Sequence, residues 1–127
     1  MPITLTRLEA GIYHGNWHAS VTTNEVFGAM DELSAIATEQ GDERLVCIID
    51  LTNCTKIPFD VHNMKNLSNR EARMNGFVVM KANTLARVMG QMLDKISTKS
   101  FKFTETLEES IALAHEIRIS SKQPENR

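Results

Sequence analysis

The residues best equipped for chemistry crowd into "DLTNCTKIPFD", residues 50–60, where the carboxylates of Asp50 and Asp60 flank the hydroxyls of Thr52 and Thr55, with His62 just beyond. Side chains of this kind at a helix start can accept backbone N–H bonds or present a polar face to a ligand. A second stretch, "MKANTLAR", sets Lys81, Asn83, Thr84 and Arg87 around another helix start, where cations and unpaired N–H groups tolerate an anion. Together they form one candidate binding rim. In the plainer reading, Asp60, Asn83 and Thr84 are caps, and Lys81 and Arg87 are solvated.

Catalysis finds little support in the same inventory. His14 and His18 are four apart on a predicted strand, about 13 Å from each other and too far for one metal. Cys47 and Cys54, seven apart, match neither a zinc spacing nor a disulfide framework and are expected as reduced thiols. His62 with Asp60 and Cys54 is the one grouping that hints at a nucleophile, and sequence proximity does not make a hydrogen-bonded pair. There is no glycine-rich phosphate loop, no Gly-x-Ser-x-Gly elbow and no Cys-x-x-Cys. A non-enzymatic protein with no metal and no cofactor is expected.

These residues need a scaffold. A chain of 127 residues, 42% hydrophobic, can bury one core, so a single domain over residues 1–119 is expected, followed by a polar tail at 120–127. Short apolar runs and the lack of a secretory leader pattern point to the cytoplasm. A pI near 6.1 and 6% aromatic content argue against a nucleic-acid partner. Net charge is −2, yet residues 56–102 carry nine basic and three acidic side chains. If those cations share a face, an anionic partner or a peripheral membrane contact becomes accessible; the alternative is separate solvated helix faces.

Periodicity supplies the elements. Ile3 to Leu8 and Ile12 to Ala19 read as a hairpin turned by Glu9-Ala10-Gly11. Thr22 with Glu25 opens a helix that stops at Gly41. Leu45 to Leu51 is apolar on both faces except Asp50, as a central strand requires, and a loop should lead from it to a helix capped by Asp60, with Val61, Met64, Leu67 and Met74 as its stripe and Gly76 as its stop. Phe77 to Met80 is a short strand. Residues 82–97 form the clearest helix, whose Leu85, Val88, Met89, Met92, Leu93 and Ile96 are expected to dock together on the sheet, worth on the order of 10 kcal/mol gross. Phe101 to Phe103 is the last strand, and Thr106 with Glu109 opens the last helix. The order β-β-α-β-α-β-α-β-α predicts an α/β domain with a mixed, mostly parallel sheet.

On these residues a resemblance emerges. "LVCIIDLTNCTKIPFD", then a polar helix, "GFVVMKANTLARVMGQMLDKI" and "SFKFTETLEESIALAHEI" together resemble the STAS or SpoIIAA-like superfamily, the fold of bacterial anti-sigma-factor antagonists. The likeness covers about residues 45–119, and the first 44 only by order of elements. It implies a non-enzymatic regulatory module that docks a protein partner or small ligand at the strand–helix junction of residues 50–64. Antagonists of that family carry an Asp-Ser pair at the helix start and are switched by phosphorylation of the serine. Here Asp60 sits between Phe59 and Val61 with no hydroxyl beside it, so the resemblance implies docking without that switch, with Thr52 and Thr55 as the remaining hydroxyls.

Two alternatives stay open. Lipid carriers of the Sec14 type are similar in layout, and Met64, Leu67, Met74 and Met80 are candidates to line an apolar pocket; core filling is the plainer role for them. The N-terminal hairpin, at a sheet edge, is compatible with a homodimer.

Overall fold

The computed structural model describes residues 2–119. Nine elements follow in the expected order: β1 (Ile3–Glu9), β2 (Ile12–Ser20), α1 (Thr23–Gln40), β3 (Leu45–Lys56), α2 (Val61–Ser68), β4 (Met74–Met80), α3 (Thr84–Ile96), β5 (Ser100–Thr104) and α4 (Leu107–Ile119). The five strands lie side by side in sequence order. β1 and β2 are antiparallel, and β2 through β5 all run parallel. The polar tail at 120–127 lies outside the described residues.

Alternation along the strands decides what each sheet face meets. Tyr13, Cys47, Phe77 and Phe101 pack with Met30 and Leu33 of α1, Met64 and Leu67 of α2, and Met89 and Leu93 of α3. Ile12, Val46, Ile48 and Val78 face the other way, onto Ala114 and Ile117 of α4. Three helices therefore cover one face and a single helix the other. The side of β2 and β3 that α4 does not reach carries polar residues.

Local signals act as their chemistry dictates. Gly11 turns the hairpin at φ 77°, and a methyl there would run into the Arg44 carbonyl. Thr22 and Glu25 close a reciprocal capping box, as do Thr106 and Glu109, and Gly41 ends α1 in the left-handed region.

Three expectations are corrected. β3 continues to Lys56 because His18, Ala19 and Ser20 of β2 remain available as partners, so "TNCTK" is strand rather than loop. α2 ends at Ser68 with Asn69 as its cap; Met74 and Gly76 belong to β4, paired with Leu45 and Val46. On α3 the buried residues are Ala86, Met89, Gly90 and Leu93, while Leu85, Val88, Met92 and Ile96 stay exposed. The small residues are turned toward the sheet, so that the helix can approach Phe103 at Gly90.

Candidate functional site

The sequence-derived candidates fall into three separate groups. Asp50 is buried on the sheet face that α4 leaves open. Thr52 donates to Asp50 Oδ1 from its backbone N–H at 2.9 Å and its hydroxyl at 2.6 Å, and His14 Nε2 lies 2.9 Å from Asp50 Oδ2. Burial alone would raise the Asp50 carboxyl, but the Thr52 and His14 contacts outweigh it and hold the group below its ordinary value. Both partners bond to the carboxylate, so the hydroxyl is not relayed through the histidine as in a nucleophilic triad. This cluster pins the irregular pairing of β2 with β3 between Asn16 and His18.

The second group is the start of α2. Asp60 Oδ1 accepts the Asn63 N–H at 3.2 Å, and Asp60 Oδ2 accepts the Asn63 side-chain amide at 2.5 Å. Both oxygens therefore serve the cap. His62 is exposed and lies 3.5 Å from the Asn66 amide, and Thr55 is exposed on β3. Cys54 donates toward the Lys56 carbonyl, and burial raises its thiol, so no hydrogen bond joins it to Asp60 or His62.

The third group opens α3. Asn83 accepts the Ala86 N–H at 2.9 Å, Thr84 is the first helical residue, and Lys81 and Arg87 both reach Glu105, at 3.8 and 3.1 Å. Arg87 also lies over the Phe103 ring. The two cations are thus engaged with a carboxylate that lies eighteen or more residues away in sequence. Among the described residues no group of three or more histidines, cysteines and carboxylates is arranged to hold a metal.

What sequence reasoning missed is apolar. Phe59, Leu85, Val88, Met92 and Ile96 are between 42% and 50% exposed. At about 3.6 residues per turn, the four on α3 share one flank of the helix. Arg87 and Asp94 lie on the opposite flank and reach Glu105 and the Phe101 N–H, beyond and within β5. The apolar flank therefore faces α2. On α2, Ser68 bonds to Ser97 and Asn69 to Ser97 and Thr98, which orients Val61 and Lys65 toward α3. A groove runs between the two helices, with Phe59 in the loop just ahead of it.

Beneath the groove lies a partly open cavity of about 90 Å³. Met30, Met64 and Met89 line it from three helices, with Trp17 and Val79 from the sheet, and Ser68 is the one hydroxyl on its wall. At roughly 24 cal/mol per Å³, packing side-chain atoms into all of that space is worth up to about 2 kcal/mol. The pocket expected around Met64, Leu67, Met74 and Met80 is corrected accordingly: Met64 and Leu67 line it, Met74 does not, and Met80 packs on the α4 side.

At the opposite edge of the sheet the charges are structural. Asp42 accepts two bonds from Arg7, both 2.9 Å, and one from the Tyr13 hydroxyl at 2.7 Å. The Arg7 guanidinium holds the Asp42 carboxyl far below the carboxylate range. Burial, then Asp42, pushes Tyr13 up to about 12. Arg73 draws Glu71 down to about 2 while also bonding the Ser34 carbonyl, which ties α1 to the lead-in of β4.

No sequence-family model and no curated protein matches the chain. Solved structures do match in shape. An uncharacterized protein of the DUF3478 family with a SpoIIAA-like fold, from Shewanella loihica PV-4, aligns with TM-score 0.63 at 13% identity, over 88% of this chain and 91% of its own. The anti-sigma factor antagonist SpoIIAA in its unphosphorylated form aligns with TM-score 0.62 at 11% identity, over 90% of this chain and 97% of its own. The phosphorylated form of SpoIIAA, described as a Bacillus cell fate determinant, aligns with TM-score 0.56 at 13% identity, over 87% and 97% of the two chains. The chain has the SpoIIAA-like fold.

Proposed function

We propose that this chain is a non-enzymatic regulatory module that docks a protein partner beside the strand–helix junction of residues 50–64, with α3 contributing. The carrying observation is the apolar flank of α3, Leu85, Val88, Met92 and Ile96, left exposed. Single exposed apolar residues are ordinary, but a contiguous ridge beside a groove is the usual mark of an interaction surface. The reading needs no phosphoacceptor at the helix start, since the Asp60 carboxylate already satisfies the first turn. No helix among the described residues is long and apolar enough to cross a membrane.

The test is affinity capture from extract of the native host with the wild-type chain, Val88→Glu with Met92→Glu, and Asp60→Ser, which keeps a capping oxygen but removes the charge. A partner retained by wild type and lost with the double variant supports docking on the ridge. Equal capture by all three chains would refute it.

The alternative, a Sec14-like module for a small apolar ligand or lipid, draws on the cavity. At about 90 Å³ it is smaller than the cavity of about 150 Å³ that takes one benzene. That space suits the tip of a side chain better than a lipid.

A further inference from the structure

Three features along the groove, taken together, say what kind of partner it fits. The first is the size and chemistry of the cavity. It has room for about three water-sized groups, and its wall is apolar apart from Ser68. Three of the lining side chains, Met30, Met64 and Met89, are unbranched thioethers that adapt to an inserted aliphatic group. A recess of this size beneath an exposed ridge fits one protruding side chain, the arrangement by which a central anchor dominates an interface.

The second is length. From Leu85 to Ile96 the ridge spans roughly 16 Å at about 1.5 Å per residue, which is three turns of a facing helix. The third is charge. Lys65 on the groove side of α2 and Lys95 on α3 pair with no carboxylate among the described residues, unlike Lys81 and Arg87, which share Glu105. Both lysines are exposed, whereas Arg70 is paired with Asp31, Arg73 with Glu71, and Lys99 is buried. A second copy would bring the same basic rim with it and set like charge against like. A flat lipid surface would cover the ridge and leave the recess beneath it unfilled.

We propose that the α2–α3 groove receives an amphipathic helix of a protein partner, which seats one leucine or methionine in the cavity and sets acidic residues against Lys65 and Lys95. This rests on the docking reading above and specifies the partner's chemistry. It is the helix-in-groove mode, read as apolar anchors at i, i+3 or i+4, and i+7. Electrostatic attraction between the rims adds rate and selectivity, and it weakens with salt.

Trp17, the only tryptophan, is buried on the cavity wall and reports on its occupancy. The experiment is selection from a displayed library of helical peptides about four turns long. Leu, Met, Phe, Lys and Ala vary along one face, and Glu or Lys along both flanks. Enriched peptides are then titrated by Trp17 fluorescence beside dodecanoate and anionic phosphatidylserine vesicles. The expected consensus has Leu or Met at one anchor position and Glu on the flanks. Ala86→Leu, which fills the cavity from α3, and Lys65→Glu with Lys95→Glu should each weaken the selected peptide at least tenfold.

Three results overturn the proposal: basic flanks in the consensus, enrichment no better than on the Lys65→Glu, Lys95→Glu chain, or a Trp17 response to dodecanoate or vesicles with the peptides silent. If host-extract capture still depends on Val88 and Met92 when the peptides fail, docking stands and the helical, acidic partner is wrong. If capture is also indifferent to the ridge, the docking reading fails with it.

Discussion

Filling the cavity tests the groove without any partner. Ala86 lies on α3 with its side chain on the cavity wall, and Ala86→Leu adds three carbon atoms on a backbone that leucine readily accepts in a helix. Filling the space of about 90 Å³ is worth up to about 2 kcal/mol at roughly 24 cal/mol per Å³. Fixing the new side chain costs about 0.5–1 kcal/mol of rotamer entropy. The expected net is a gain of about 1–1.5 kcal/mol, read as a rise in Tm of roughly 3–8 °C for a domain of this size. Urea melts at constant m-value provide the matching free energy. Ala114→Leu is the control: Ala114 is fully buried between α4 and the sheet and does not line the cavity, and the same change there should cost about 1–3 kcal/mol. A loss of stability in Ala86→Leu comparable to that in Ala114→Leu would show that α3 is already close-packed at Ala86, and it would remove the recess on which the anchor argument depends.

Other outcomes follow from the charged edge and from the glycines. Glu71, drawn down to about 2 by Arg73, and Asp42, held lower still by Arg7, are depressed carboxylates. Their contribution to stability is complete above about pH 5 and is lost as pH falls toward 2, so Tm against pH should drop there and drop less in Glu71→Gln. Tyr13, raised to about 12, has the opposite sign: its contribution is complete below about pH 10 and fades as pH rises through 12, and Tyr13→Phe should cost about 1.5–3 kcal/mol at neutral pH in urea melts. Gly28 is exposed in the middle of α1 with open space around it, so Gly28→Ala should stabilise by about 0.5–1 kcal/mol. Gly76→Ala should destabilise by about 1–3 kcal/mol, because its methyl would sit 2.8 Å from the Ser100 carbonyl oxygen; equal melting of the two variants would contradict the packing described. Asp50→Asn should lower stability by about 1–3 kcal/mol yet leave partner capture intact, since the Asp50 cluster lies on the sheet face away from the groove.

The order of elements was legible because each boundary carries a local signal. The Thr22–Glu25 and Thr106–Glu109 boxes, the left-handed Gly11 and Gly41, and the doubly apolar run of β3 all act within a few residues of themselves. The misreadings share a different origin. "TNCTK" has the composition of a loop and becomes strand only because β2 extends far enough to pair with it. Met74 keeps helical spacing with Leu67 and is claimed by β4 because Leu45 offers it a partner. Both outcomes depend on a strand remote in sequence, and composition within a window is blind to that.

The buried face of α3 was illegible for a related reason. Its apolar residues are wide enough around the helix to cover two adjacent flanks, and periodicity gives the width of a stripe without saying which part of it is buried. The decision rests on Ala86 and Gly90, which counted little in the pattern. Gly90 leaves room for Phe103 at a distance where a methyl would clash with the ring, so the helix rolls toward β5 and lifts Leu85, Val88, Met92 and Ile96 out of the core. Gly90→Ala then predicts more than a loss of stability. If the roll of α3 is set by that contact, the added methyl should push the helix off Phe103 and alter the mouth of the groove. Paired with Phe103→Leu, which removes the clashing ring, it should regain stability beyond the sum of the single changes. Strict additivity of the two substitutions in a double-mutant cycle would separate the exposed ridge from the small residues credited with it.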